Sequence, residues 1–259
     1  MPEVSYNKPM NRAALIDTLA DIVHSTPCEH PLRVAVDGVD ASGKTTFSNE
    51  LAHVIKSQST REVIQIYVDD FHQPNVLRKR RGDLSPEGFY LDSYNYQTFI
   101  EQALIPLGPA GNRRYRTACY DLSSDQRLRP PLQSAAVDAI VLIDGIFLLR
   151  PTLLSFWDLT IYLDVNFEQS IERGINRDAV LLGSRENARL RYQKRYVPGQ
   201  KLYLRDAHPL DKADILIDNS ILEYPRLLRR PMSTVSFGSS LIDYEIESVS
   251  YTHLTLPTN

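Results

Sequence analysis

The sequence predicts an α/β protein built on a mostly parallel sheet with helices on both of its faces. Short apolar segments, rich in valine, isoleucine and leucine, alternate along the chain with longer segments whose apolar residues recur at helical spacing. Parallel strands are apolar on both sides because crossover helices cover both faces of the sheet. The strand candidates in chain order are RVAVDG, EVIQIYVDD, AIVLIDG, LTIYLDV and ADILIDN. The segment RYRTACYD, which alternates, is a further strand candidate.

Composition indicates a globular protein of one large domain or two small ones. The chain has 259 residues, of which 42% are hydrophobic and 24% are charged. Its net charge of −3 provides no basic field, so we expect no nucleic-acid partner. Cys28 and Cys119 form no disulfide framework, which favours a reducing compartment. The N-terminus lacks the apolar core of a signal peptide, and AIVLIDGIFLL is too short to span a membrane. We therefore expect a cytoplasmic protein without a membrane segment, and composition leaves self-association to form a homo-oligomer open.

An amphipathic helix is predicted within residues 1–30, packed on the main domain. The segment NRAALIDTLADIVHS places its larger apolar residues on one face. These residues are Leu15, Leu19, Ile22 and Val23. Proline residues then bound a loop that precedes the first strand candidate.

The rest of the chain is predicted to comprise one main domain and a tail. Residues 31–224 contain every other helix and strand candidate, whereas residues 225–259 show no clear pattern and are left unassigned. The last residues, Val249–Asn259, resemble a translated reading frame of a transposon-end adapter used to prepare sequencing libraries. We expect this end not to be native and exclude it from the fold prediction.

The stretch VDGVDASGKTTF joins the first strand candidate to a helix. Its glycines, lysine and threonine match the pattern G-x-x-x-x-G-K-[ST], in which loop N–H groups and the helix N-terminus bind phosphate. The lysine reaches the outer phosphates, and the threonine hydroxyl binds Mg²⁺. A chance match in a glycine turn is the alternative, but the flanking strand and helix are the context that a phosphate loop requires. The predicted ATP-binding residues are Gly38, Asp40, Ala41, Ser42, Gly43, Lys44, Thr45 and Thr46.

Three strand candidates end in acidic residues, at the sheet edge where α/β proteins bind ligands. Asp144 ends AIVLIDG, a position where a second acid commonly supports Mg²⁺. Asp69 and Asp70 end EVIQIYVDD, and one of them could accept the proton of an acceptor hydroxyl. A polar strand end explains Asp144 as well, and a turn or helix cap explains the pair. The residues alone leave these alternatives open.

Two successive helical segments, FEQSIERGINRDAV and SRENARLRYQKRY, are rich in arginine. Arginines on a closing lid stabilise the charge of a phosphoryl group in transfer. A solvated helix face is the alternative, and we expect it for most of the six arginines. The polar residues 72–93 are predicted to form a long loop, and RKRR within it is interpreted as solvated rather than as a nucleic-acid patch. The six arginines are Arg173, Arg177, Arg185, Arg189, Arg191 and Arg195.

Six blocks of the sequence, in this order, resemble the uridine kinase group of phosphate-loop kinases, to which phosphoribulokinase and bacterial pantothenate kinase are related. The blocks are VDGVDASGKTTF, YVDDFHQP, GFYLDSYNY, YRTACYDLSSD, LIDGIFLL, and RYVPGQKLYL with ADILIDN. The phosphate loop is general, whereas DDFH followed by the later blocks is specific. The resemblance implies a P-loop NTPase fold with an arginine-bearing helical lid, and an ATP- and Mg²⁺-dependent kinase acting on a small molecule.

The resemblance also implies roles for individual residues. Asp69 takes the position of the catalytic base, and Asp144 that of the Mg²⁺-assisting acid, which is more often glutamate in uridine kinases. Asp92 falls where the group contacts the ribose hydroxyls, and Tyr120 falls beside the nucleobase of the acceptor. Asp125 replaces the histidine that reads the pyrimidine, so the identity of the acceptor stays open.

The arginine-rich segments match the lid of the group. Arg177 precedes an aspartate as the lid arginine does, and with Lys44 and Asp69 it is predicted to be catalytic. Arg185 is a second ATP-binding candidate, although its spacing differs from that of the group. Arg173 is a candidate for binding the acceptor.

Three functions are compatible with these residues. The first is a kinase that phosphorylates the 5′-hydroxyl of a nucleoside of the uridine or cytidine type. The second is a kinase for another hydroxylated metabolite, such as pantothenate or a sugar phosphate. The third is a nucleotide-dependent regulatory protein, which would leave DDFH, Asp92 and Tyr120 unexplained and lacks a guanine-reading NKxD motif.

Overall fold

The computed structural model describes residues 8–230. These residues form a six-stranded sheet with helices on both faces, and the strand order is β10-β9-β8-β1-β7-β2. All neighbours in this sheet are parallel except the pair β9–β10. The predicted α/β class is therefore confirmed. The strands of the sheet are β1 Leu32–Gly38, β2 Val63–Tyr67, β7 Ile140–Asp144, β8 Leu159–Asp164, β9 Ile215–Asp218 and β10 Arg226–Arg229.

The helices lie before β1, between β1 and β7, and between β8 and β9. In chain order they are α1 Arg12–Ser25, α2 Lys44–Gln58, α3 Asn75–Arg78, α4 Pro86–Asp92, α5 Tyr96–Phe99, α6 Phe167–Asp178, α7 Arg185–Arg191, α8 Val197–Ala207 and α9 Pro209–Lys212. Two of them continue into π-helical turns, α5 through Ile100–Leu104 and α7 through Tyr192–Tyr196. Within the described residues, no helix is long and apolar enough to cross a bilayer.

Each face of the sheet has its own hydrophobic core. On one face α1 and α2 cover the strands, with Leu19 and Phe47 fully buried between them. On the other face α4, α5 and α8 supply aromatic residues, and the rings of Phe89 and Tyr203 both pack edge-on with that of Phe147. Burial on both sides explains why the central strands are uninterrupted apolar runs.

Two small two-stranded antiparallel sheets accompany the main sheet, where the sequence predicts one strand over RYRTACYD. That segment is divided between β3 Arg114–Tyr115, which pairs with β6 Gln133–Ser134, and β4 Tyr120–Asp121, which pairs with β5 Gln126–Arg127. Between them, the backbone N–H of Cys119 donates to the carbonyl of Asp70 at 2.8 Å. This bond brings the β4–β5 hairpin to the end of β2.

The prediction of a structureless loop over residues 72–93 is wrong. Two helices, α3 and α4, lie within it, and α4 has a conventional start: Ser85 Oγ accepts the Gly88 N–H at 3.0 Å, and Pro86 is the first helical residue. Both helices are short and polar, so they show no apolar periodicity that would predict a helix. EVIQIYVDD likewise ends its strand early, because Val68–Phe71 form a 3₁₀ turn.

The division between the main domain and the unassigned tail also changes. The strand β10 belongs to residues 225–259 but extends the sheet beside β9. Its Arg229 donates through Nε to the carbonyl of Ala213 at 3.0 Å. Residues 231–259, including Val249–Asn259, lie outside the described part of the chain.

Candidate active site

The loop between β1 and α2 needs glycine at both ends of its motif. Gly43, the residue before α2, has a φ of 91°, a conformation that side-chain-bearing residues rarely adopt. Gly38 has a φ of 155°, and a Cβ atom there would lie 2.6 Å from the Leu163 carbonyl oxygen on the neighbouring strand. The glycines therefore permit both the turn and its close approach to β8.

Lys44 lies inside this loop rather than in solvent. Its ammonium donates to the Val39 carbonyl at 2.7 Å and to Ser42 Oγ at 3.4 Å, and the side chain is buried. Burial lowers the pKa of Lys44, while the carboxylates of Asp40 and Asp37 raise it. The lysine thus holds the loop in shape around the space where phosphate oxygens would sit.

A cavity of about 740 Å³ opens beside the loop. It brings together residues that are far apart in sequence but lie at the carboxyl ends of β1, β2 and β7. The predicted site residues that line it are Asp40, Ala41, Gly43, Lys44, Thr45, Thr46, Asp69, Asp144, Arg173 and Arg177. Those that do not line it are Gly38, Ser42, Asp92, Tyr120, Asp125 and Arg185.

Asp69 is held at the cavity by a side chain that the sequence analysis did not identify. The Tyr94 hydroxyl donates to Asp69 Oδ1 at 2.7 Å, and both residues line the cavity. His72 lies beside them, with its ring 4.6 Å from that of Tyr94 and its Nδ1 2.6 Å from the Asp69 carbonyl. The adjacent Asp70 also lines the cavity, and burial followed by the charge of Asp69 raises its pKa.

Asp144 has the surroundings of a cation ligand. It is buried at the end of β7, and within the described residues its Oδ2 has no hydrogen-bond partner. Burial raises the pKa of Asp144 to about 6, against the effects of the Thr45 hydroxyl and the Lys44 ammonium. An unpartnered carboxylate oxygen beside a threonine hydroxyl suits Mg²⁺, which prefers oxygen ligands. Thr45 and Asp144 therefore fit the predicted metal site.

Asp40 connects the phosphate loop to the arginine-rich helices. Its carboxylate accepts hydrogen bonds from Arg177 at 3.1 Å and from the Tyr192 hydroxyl at 2.8 Å. Its backbone N–H donates to Gln200 Oε1 at 2.6 Å, and its carbonyl accepts from Ser170 Oγ at 2.6 Å. Burial would raise the pKa of Asp40, but Arg177 and Lys44 together lower it below its usual value.

The arginines of α6 and α7 differ in their positions. Arg177 lines the cavity, and its guanidinium donates to the carboxylates of Asp40 and Asp178. Arg173 also lines the cavity, and it donates to the Ser220 carbonyl at 2.6 Å. Arg185 lies away from the cavity and forms an ion pair with Glu172 at 3.0 Å. Arg195 is buried, so the expectation of a solvated helix face fails for it.

Of the residues predicted to bind the acceptor, Asp69 and Arg173 line the cavity, whereas Asp92, Tyr120 and Asp125 do not. Asp92 is buried and forms ion pairs with Arg80 and Arg81, so RKRR is not the freely solvated run that the sequence suggests. The Tyr120 hydroxyl donates to Asp125, whose Oδ1 also accepts the Asn75 N–H at 3.0 Å. Leu122, on the same hairpin, is the residue that reaches the cavity.

Several further lining residues carried no sequence signal of their own. Tyr94 and His72 stand inside blocks quoted for the resemblance, so their proximity to Asp69 could have been suspected from those blocks. Phe89 lies on α4, which the sequence analysis did not predict. Tyr196 lies in the second arginine-rich segment, where the sequence analysis assigned it no role in the site. The remaining additions to the lining are Tyr67, Leu122, Gly145, Ile146, Asp178, Leu181 and Leu182.

The sequence model of the phosphoribulokinase/uridine kinase family matches residues 34–219, more than half of the chain. This chain belongs to that family. It is accordingly a nucleotide-binding phosphotransferase that acts on a hydroxyl group. Because the family match includes the phosphate loop, Asp69 and Asp144, the cavity described above is the candidate active site of this phosphotransferase.

Individual relatives share limited sequence with it. Uridine-cytidine kinase B of Dictyostelium discoideum is 27% identical over 192 residues, which cover 73% of this chain and 75% of the relative. A uridine kinase of Ureaplasma parvum is 27% identical over 152 residues, covering 57% of this chain and 69% of the relative.

Solved structures share the fold at lower identity. A structure of a possible uridine kinase from Bacillus stearothermophilus has a TM-score of 0.62 at 21% identity, covering 78% of this chain and 96% of that one. D-glycerate 3-kinase from Cryptococcus neoformans has a TM-score of 0.52 at 15% identity, covering 73% of this chain and 88% of that one. These similarities confirm the predicted P-loop kinase fold.

Proposed function

We propose that this chain transfers the γ-phosphoryl group of ATP to a hydroxyl group of a small molecule, with Mg²⁺ as its cofactor. The observation that carries this proposal is the position of Asp69, which lines the same cavity as Lys44 and Thr45 and is oriented by Tyr94. An acceptor hydroxyl is a poor nucleophile until its proton has an acceptor, and a positioned carboxylate supplies one.

Each side chain then has a defined task. Lys44 and Arg177 balance charge on the phosphate oxygens, and the N–H groups of the loop bind those oxygens. Thr45 and Asp144 would hold Mg²⁺, which neutralises phosphate charge when it is bound. Asp69 takes the proton of the acceptor hydroxyl as that oxygen attacks.

A nucleoside 5′-hydroxyl is the first acceptor candidate, because the two relatives named above are uridine or uridine-cytidine kinases. In that case Asp92, Tyr120, Asp125 and Arg173 would contact the nucleoside. A different hydroxylated metabolite is the second candidate. It is favoured by Asp125, an acceptor-only group where the kinases that the chain resembles have histidine, and by the ion pairs that already engage Asp92.

Release of ADP from ATP and Mg²⁺ tests the proposal. Nucleosides and other hydroxylated metabolites would be supplied one at a time and compared with a reaction without acceptor. We expect at least one acceptor to raise ADP release, and Asp69→Asn to lower that acceptor-dependent kcat by roughly 10²- to 10⁴-fold. Nucleotide affinity should change little, because the substitution preserves the shape of the side chain.

Asp70→Asn is the matched control. Asp70 also lines the cavity, but among residues 8–230 its carboxylate has no donor equivalent to Tyr94, so its loss should change kcat by no more than a few fold. An active Asp69→Asn variant beside an inactive Asp70→Asn variant would reverse the assignment of the base. ADP release that no acceptor stimulates would favour a regulatory nucleotide-binding protein.

A further inference from the structure

Arg150 is a buried arginine in the segment that follows β7. It is 8% exposed, and it does not line the cavity of the candidate active site. Among residues 8–230 no carboxylate forms an ion pair with it, and its Nη1 has no hydrogen-bond partner. A buried charge is costly unless other groups compensate it, so the surroundings of Arg150 have to supply something other than a counter-charge.

Two tyrosine rings provide that compensation. The central carbon of the Arg150 guanidinium lies 4.1 Å from the ring centroid of Tyr96 and 4.8 Å from that of Tyr90. Cation–π attraction strengthens where water is excluded, and the planar guanidinium stacks on aromatic rings in a way that a lysine ammonium does not. Burial raises the pKa of both tyrosines, and the charge of Arg150 opposes this rise. One guanidinium thus joins the two rings.

The two rings flank Tyr94, the residue that orients Asp69. Tyr90 lies on α4, before Tyr94 in the chain, and Tyr96 is the first residue of α5, after it. The ring of Tyr96 packs on that of Tyr94, with 5.8 Å between their centroids. Tyr94 in turn donates to Asp69 Oδ1 at 2.7 Å. Arg150 therefore contacts the segment 90–96 on both sides of the residue that orients Asp69.

The backbone around Arg150 is fixed independently of these rings. The Arg150 carbonyl accepts from the N–H groups of Leu153 and Leu154 at 2.9 and 3.1 Å. The preceding residue, Leu149, donates its N–H to Oδ2 of Asp37 at 3.0 Å, and Asp37 lies on β1 directly before the phosphate loop. The guanidinium is therefore held relative to the strand that carries the phosphate loop, and the two rings are held relative to the guanidinium.

We propose that Arg150 is a positioning residue for phosphoryl transfer. Its guanidinium fixes the segment 90–96, and Tyr94 within that segment holds the carboxylate of Asp69 towards the acceptor hydroxyl. This inference rests on the proposed kinase function, in which Asp69 takes the proton of that hydroxyl. The alternative is a purely structural arginine, whose loss would lower stability without acting through Tyr94.

Arg150→Met tests the inference, because methionine fills much of the same space without the charge or the planar group. We expect kcat for the best acceptor to fall roughly 5- to 10-fold, with KM for ATP within about twofold, since the variant disturbs a neighbour of the base and not the phosphate loop. Arg150→Lys should restore only part of the rate, because it keeps the charge and loses the stacking plane. A wild-type kcat in both variants would contradict the inference.

Arg33→Met is the matched control. Arg33 is also buried, at 4% exposure, but it lies near the start of β1, away from the phosphate loop, and pairs with Asp158 at 2.9 Å. Its loss should lower the free energy of unfolding, because it leaves Asp158 without its partner, and should keep kcat within about twofold. An equal fall in kcat for both variants would show that the loss of any buried arginine slows the enzyme, against the inference.

A double-mutant cycle with Tyr94→Phe separates positioning from general destabilisation. If Arg150 acts through Tyr94, then Arg150→Met should lower kcat less than about twofold once the Tyr94 hydroxyl is gone, because residues in one network are not additive. Effects that simply multiply would identify Arg150 as a structural residue only. Tyr96→Leu removes one of the two rings and serves in the same cycle if Arg150→Met does not fold, with the same two outcomes.

Amide hydrogen exchange separates this inference from the kinase proposal, because it requires no turnover. Exchange over residues 86–99 should be roughly 10-fold faster in Arg150→Met than in the wild-type protein or in Arg33→Met. Faster exchange in a protein whose wild type phosphorylates no acceptor would support the contact between Arg150 and this segment and refute the kinase proposal. Turnover of an acceptor, with exchange over residues 86–99 unchanged by Arg150→Met, would support the kinase and refute the inference.

Discussion

The Tyr94 hydroxyl donates a 2.7 Å hydrogen bond to Oδ1 of Asp69, and this bond joins two segments that are separate in sequence. Asp69 lies on the 3₁₀ turn after β2, and Tyr94 follows α4. Tyr94 is buried, and backbone pairing of its own position with His72 keeps the two segments in register. One oxygen of Asp69 is thereby fixed, and the other stays available to an acceptor.

Tyr94→Phe removes the hydroxyl and keeps the ring. We expect kcat for the best acceptor to fall about 10-fold, because the carboxylate of Asp69 loses its orienting donor. KM for ATP should stay the same, since the Tyr94 hydroxyl donates to Asp69 and not to a residue of the phosphate loop. Steady-state kinetics with ATP and acceptor varied in turn would measure both parameters.

Tyr162→Phe is the control for this experiment. Tyr162 is equally buried, but within the described residues its hydroxyl has no hydrogen-bond partner. Its loss should leave kcat within about twofold and should not lower stability. Equal kinetics for the Tyr94 and Tyr162 variants would show that the Tyr94 hydroxyl does not orient the base.

Asp144→Asn should weaken the use of Mg²⁺. The substitution keeps one oxygen but removes the negative charge from the buried side chain beside Thr45. We expect the Mg²⁺ concentration for half-maximal rate to rise roughly 10- to 100-fold, the range typical of lost support around a metal. Asp164→Asn at the end of β8 is the comparison, because Asp164 does not line the cavity. A shared rise in both variants would argue against a specific cation site.

Tyr192→Phe tests the connection between the phosphate loop and the helices. The Tyr192 hydroxyl donates to the half-buried carboxylate of Asp40, which also accepts from Arg177. Losing the donor should lower the free energy of unfolding by about 1 to 3 kcal/mol and raise KM for ATP. Urea unfolding would measure the first effect. Tyr224→Phe is the control, because Tyr224 is exposed, and it should change neither quantity. If Tyr192→Phe left both the free energy of unfolding and KM for ATP unchanged, the Tyr192 hydroxyl would not be needed to position Asp40.

The raised pKa of Asp37 predicts that the stability of the protein depends on pH. It is buried beside the Tyr203 hydroxyl and the Leu149 N–H, and burial raises its pKa from 3.8 to about 6 despite these donors. Because the folded protein holds this proton more tightly than the unfolded chain, the stabilisation is complete below pH 4 and disappears as pH rises through about 6.

Between pH 4.5 and pH 7 this one group should lower the free energy of unfolding by about 2 kcal/mol. Asp37→Asn should remove that part of the pH dependence, whatever its effect on stability at a single pH. Urea unfolding at the two pH values, with the wild-type protein measured in parallel, would isolate the difference. An unchanged pH dependence in the variant would mean that Asp37 is ionised throughout this range.

Much of the site could be predicted from local sequence. The phosphate loop and the acidic residues at the strand ends were predicted because each follows or ends an apolar strand, and parallel strands bring their carboxyl ends to one edge. The choice of Asp69 over Asp70 and the role of Asp144 came from the resemblance to the uridine kinase group. Tyr94, Tyr192 and Gln200 could not be predicted in this way. Their importance comes from the atom that each contacts across the fold, and no spacing along the chain encodes that contact.

The sequence by itself determined the five parallel strands of the sheet, the phosphate loop and the acidic strand ends, because apolar periodicity and glycine turns act over a few residues. Only the tertiary structure decided which charges meet. It paired Arg80 and Arg81 with Asp92, placed Arg185 on Glu172 instead of in the cavity, and added β10 to the sheet. Ion pairs and edge strands depend on distances between segments that are remote in the chain, and these distances exist only once the two cores have packed on the sheet.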